Sequence, residues 1–92
     1  MSEEQITISS LSMDLKRVAL AFRNGSDKTA ERFREEALKR IEEVKKNKLP
    51  VYIQKSILNT KRILFQKNKK DIAEDSLMYS TIFQNYALTS EA

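Results

Sequence analysis

Hydrophobic residues recur along this chain at helical spacing in four runs, separated by short polar breaks. Leu11, Leu15, Val18 and Phe22 stand four, three and four residues apart and so share one face of a helix. This first helix is expected over residues 10–24, with Ser10 or Ser12 capping its start. Asn24–Gly25 stops it, because glycine readily takes the left-handed conformation just past a helix end. A second helix is expected over 27–47, capped by Ser26 or Asp27, with Ala30, Phe33, Ala37, Ile41 and Val44 as its buried stripe and Leu38 on the flank. Its other side carries Glu35–Lys39, Glu36–Arg40 and Glu42–Lys46 at the i,i+4 spacing that supports a solvated helix.

Pro50 suits a first helical position and opens a third helix over 50–67. Its apolar residues point three ways: Ile53, Ile57 and Leu64; Val51, Leu58 and Phe65; Tyr52 and Ile63. Only Lys55, Asn59, Arg62 and Gln66 form a polar stripe. So much apolar circumference predicts burial on several sides, which makes this helix the expected centre of the fold. The fourth helix is expected over 71–87, with Asp71 and Glu74 as a capping pair. The break before it holds neither Gly nor Pro, so one long bent helix from Pro50 to Leu88 is the alternative.

The ends are read as loose, over 1–9 and 89–92. Gln5–Ser9 alternates apolar and polar, which fits either a short strand needing a partner or an arm resting Ile6 and Ile8 on the bundle; the arm is preferred. Taken as strand, helix, Asn-Gly turn and helix, residues 5–46 resemble the element order of ribbon-helix-helix repressors, whose paired strands enter the DNA major groove. That resemblance implies Gln5, Thr7 and Ser9 pointing outward, but Glu3 and Glu4 stand where bases would meet phosphate.

Length and composition narrow the function. Ninety-two residues make one domain, with a core that is marginal when solitary. The chain has no histidine or cysteine, which removes the usual zinc sites and catalytic triads, and its single glycine removes glycine-rich phosphate loops. Adjacent acids such as Glu35–Glu36 diverge by about 100° on a helix and make no dyad. No catalytic residue, metal site or cofactor is expected, and the chain is read as no enzyme. The MSEEQ start lacks a leader's apolar segment, no run approaches the roughly 20 residues of a membrane span, and the absence of cysteine suits a reducing compartment; the cytoplasm is the expected location.

Charge adds the last constraint. Residues 39–70 hold eleven Lys/Arg against two Glu, whereas residues 71–92 hold four acids and no base. Lys55, Asn59, Arg62 and Gln66, with Lys69 and Lys70 nearby, combine phosphate-neutralising and base-reading side chains, or offer a surface to an acidic partner. The fourth helix carries no charge after Asp75 until Glu91, and uncharged polar residues beside aromatics are typical of interfaces. Met78, Tyr79, Ile82, Phe83 and Tyr86 are therefore expected to form a homodimer interface. The resulting expectation is an all-α, up-and-down bundle of four short helices, dimeric, acting as an adaptor or regulator through helical surfaces. Its partners would be itself and another protein. The alternative is a small DNA- or RNA-binding regulator using the Lys39–Lys70 belt, while a membrane surface is disfavoured because the third helix lacks a clean apolar-versus-cationic division.

Overall fold

The computed structural model describes residues 2–89, and among these it places four α-helices: α1 (Glu3–Arg23), α2 (Asp27–Glu43), α3 (Val51–Leu64) and α4 (Lys69–Thr89). One 3-10 turn, Lys46–Lys48, joins α2 to α3. No strand occurs among the described residues, and no helix is long and apolar enough to cross a membrane. The all-α bundle is as the periodicity predicts, but its boundaries and its centre differ.

Helix α1 begins at Glu3 rather than near residue 10, because Ser2 and Gln5 form a capping box. The Gln5 amide donates to Ser2 Oγ at 3.1 Å and the Ser2 amide donates to Gln5 Oε1 at 2.8 Å, with Glu3 and Glu4 favourably placed against the helix dipole. Residues 3–9 are therefore neither a loose arm nor a strand, and the ribbon-helix-helix order does not exist here. Residues 90–92 of the expected loose end lie outside the described residues, and Thr89 is still helical. The Asn24–Gly25 stop stands. Gly25 has φ +73°, its amide donates to the Phe22 carbonyl and the Ser26 amide to the Ala21 carbonyl, which together make a Schellman motif.

Helix α2 ends at Glu43, short of residue 47, where Val44 turns extended and drops its side chain into the core. Lys46 thus leaves the helix, and none of the three expected i,i+4 pairs forms; Arg40 instead reaches Asp14 and Glu43, and Glu42 reaches Lys61. Helix α3 ends at Leu64, and Asn68 starts α4 by accepting the Asp71 amide on its side chain at 3.1 Å. Asp71 and Glu74 are not the cap, and α3 and α4 are not one bent helix.

The centre is α1, not α3. Helix α1 packs along both α2 and α4, while α3 lies mainly on α4 and more lightly on α2. Ile8, Leu11 and Leu15 meet Ala37 and Ile41 of α2, Ile53, Ile57 and Leu64 of α3, and Phe83 of α4 in one core, closed by Leu49 and Val44 from the connections. Helices α1 and α4 run antiparallel in close approach, which small residues permit: Ser12 Oγ donates to the Ser80 carbonyl at 2.7 Å, and Ser80 Oγ returns a bond to the Ser12 carbonyl at 3.0 Å.

One buried charge sits between α1 and α2. The Asp14 carboxylate lies 3.6 Å from Arg40 Nε and 3.6 Å from Arg17 Nη1. Burial raises its pKa above the ordinary aspartate value and outweighs the opposing pull of the two guanidiniums, with Glu36 adding to the rise. A raised folded-state pKa contributes stability that is fully present below the unfolded value and is lost as pH climbs through the folded one. Asp14→Asn is therefore expected to be at least as stable as the parent at neutral pH, with any gain disappearing near pH 3 in urea titrations. Arg40→Ala should destabilise by about 1–3 kcal/mol at neutral pH, because it strips a buried carboxylate of a counter-charge.

Candidate interaction surface

Helix α3 presents its Ile53, Ile57 and Leu64 face to the core and turns Val51, Leu58 and Phe65 outward. These last three are 64%, 55% and 63% exposed, the reverse of the burial expected for them. The physical reason is that α3 is covered on one side only; among the described residues no helix lies over its outer face. On that face Val51, Lys55, Leu58, Arg62 and Phe65 follow one another at spacings of four, three, four and three. This is the spacing of a coiled-coil seam, here pointing to solvent, in which an apolar residue alternates with a cation. Half-buried Asn59 lies along one edge, and Tyr52 stands beyond it with its ring 6.5 Å from that of Tyr86, edge-on.

Where the seam nears α2, Phe65 and the half-buried Leu38 floor an open groove of about 520 Å³, rimmed by Glu35, Lys39, Glu42 and Lys61. Lys61 Nζ lies 3.3 Å from Glu42 Oε1 across it, pinning the two helices at the rim.

The six basic and amide residues expected to act together do not form one surface. Lys55, Asn59 and Arg62 lie on α3, whereas Gln66 falls past its end in the connection to α4, and neither Lys55 nor Arg62 has an ion-pair partner among the described residues. Lys69 belongs to the first turn of α4 and pairs with Asp27 at the start of α2. Lys70 sits beside Phe22 and Arg23 at the end of α1. Lys48 is likewise engaged, 3.8 Å from Glu4. The basic belt is continuous in sequence only; in space, intramolecular acids consume part of it.

The residues expected to make a dimer interface are also dispersed. Phe83 is fully buried and Tyr86 nearly so, Tyr79 and Ile82 are half-buried against the core, and only Met78 is exposed. The aromatic face of α4 is used within the chain, because α1 and α3 both pack on it. A second exposed row occurs on α1, where Ile6, Met13 and Leu20 recur every seventh residue, but serine and the Asp14-bound Arg17 separate them.

Sequence reasoning missed the α3 seam because it counted Val51, Leu58 and Phe65 as a buried face. The signal was present: on the helical wheel Arg62 and Lys55 stand directly beside Val51, Leu58 and Phe65, and Gln54 and Lys61 flank their other side, so the apolar positions sit within a polar arc. No protein-family model, curated protein or solved structure matches this chain.

Proposed function

We propose that the chain is a non-enzymatic protein-interaction module, an adaptor or regulator whose working surface is the outward face of α3. The observation that carries this reading is the row Val51, Leu58 and Phe65, three large apolar side chains more than half exposed and aligned along one helix. Apolar side chains aligned on a face and bordered by polar residues mark interaction sites, whereas scattered ones do not. Helix-in-groove and helix-on-helix recognition reads such anchors at turn and heptad spacing. A photo-crosslinker at position 58, in extract of the source cells, tests it. A partner is expected that is captured at 58 but not at exposed Glu31, and that, once purified, binds the parent chain and not Leu58→Asp. If no captured protein survives that second step, the reading is wrong.

A second reading, nucleic-acid binding, draws on Lys55 and Arg62, which have no ion-pair partner among the described residues, together with Asn59 and Gln66. Anisotropy of labelled random-sequence duplex and single strand, at low and physiological salt, separates it. Four or five phosphate contacts give a log–log salt slope of about −4 for duplex. A slope of that size, abolished by Arg62→Glu, would displace the first reading.

A further inference from the structure

Resting on the reading of α3 as a docking face, we infer that its occupant is an acidic amphipathic helix of a partner protein. Three observations converge on that chemistry. First, the seam is helical and heptad-spaced, so the complementary object is another helix whose apolar residues recur every seventh position. Second, the positions along the seam between the anchors are cations only, Lys55 and Arg62, both without an ion-pair partner among the described residues. The partner's intervening positions are therefore carboxylates, which pair with these cations as they do across coiled-coil flanks.

Third, the same charges disfavour a second copy. Laid antiparallel on itself about Leu58, α3 would set Val51 against Phe65 but Lys55 against Arg62; laid parallel, it would set each cation against its own image. Like charges facing one another across an apolar contact are a strong element of discrimination. Nucleic acid is disfavoured on the same face, since exposed Leu58 stands between the two cations that would have to reach successive phosphates and exposed Phe65 follows directly after them. The groove beside Phe65 and Leu38 gives one larger apolar side chain of the partner a place to enter. Its α2 rim carries Glu35 and Glu42, of which Glu42 is already held by Lys61, so the partner's acids belong on the Lys55–Arg62 side of the seam.

The probe is a synthetic helical peptide of about three heptads on an alanine background, with leucine at every seventh position and glutamate midway between. Its control carries lysine in place of glutamate. The glutamate peptide is expected to bind the full chain at least about tenfold more tightly than the lysine peptide, and to weaken as salt is raised. Lys55→Glu with Arg62→Glu should invert the preference, and Leu58→Asp should abolish both interactions. All three positions are exposed, and unchanged helical circular dichroism will verify the fold of each variant. Equal affinity for the two peptides, or no binding by either, overturns the inference. So does self-association that Leu58→Asp removes, or duplex binding that Arg62→Glu removes, since each assigns the face to another occupant. Peptide failure alongside a validated crosslinked partner at position 58 would leave the docking face standing and remove only its acidic occupant; failure of both would remove the two together.

Discussion

Phe83→Ala is expected to destabilise the fold by about 3–5 kcal/mol while leaving the state of association unchanged. Phe83 is fully buried, in one core with Leu15, Ile41 and Ile57, and its ring lies 6.3 Å from that of Tyr79. Truncation removes most of the side chain and leaves a cavity that four helices cannot collapse around independently. Small domains have about 5–15 kcal/mol of total stability, so the variant should show a sharply lowered urea midpoint. Sedimentation velocity on both proteins supplies the second half of the test. A variant that melts like the parent but sediments as a smaller species would place Phe83 between subunits instead of within one.

Ser80→Leu should be almost as damaging, by about 3 kcal/mol or more, although serine is a small and polar residue. Ser12 and Ser80 are both buried, and each hydroxyl donates to the other's carbonyl across the α1–α4 crossing. A leucine there forces the helices apart and breaks the remaining bond from Ser12 as well. Ser80→Ala removes one donor, leaves the Ser12 bond intact, and should lower stability by only about 1 kcal/mol. Ser12→Ala with Ser80→Ala together should be less damaging than the sum of the two singles, because the contact between the two hydroxyls, 3.3 Å apart, is already lost in either single. Thermal melts of the four proteins check the order: a leucine variant as stable as the alanine one would mean the crossing is loose.

What could be read in the sequence was local, and what could not was the assignment of faces. Asn24–Gly25 ends α1 where backbone chemistry requires it, and Ile53, Ile57 and Leu64 do line the core. The start of α1 was legible too, in Ser2 and Gln5, but Ser10 and Ser12 offered competing caps and the alternation of Ile6 and Ile8 imitated a strand. The harder error concerned the centre. Helix α3 carries apolar residues on its exposed face as well as its buried one, whereas α1 is central with small residues, Ser12, Ala19 and Ala21, buried among its larger ones. Periodicity counts apolar positions; it does not record that a buried serine lets a neighbouring helix approach closely. The same blindness misplaced Phe83 and Tyr86, whose aromatic character fits an interface and a core equally well until α1 and α3 are seen to cover them.

The Ser12–Ser80 crossing joins residues 68 positions apart, so the most extensive packing among the described helices unites α1 with α4. Local turns bring α1 and α2 together early, yet the other long face of α1 waits until α4 has left the ribosome. Until then α1 has half its burial, and its apolar row is open to whatever else is in solution. Closure across so long an interval is entropically slower than the nearest-neighbour docking that lets most helical bundles fold quickly. A chain stalled before α4 would therefore be a chaperone client, not a partly functional module.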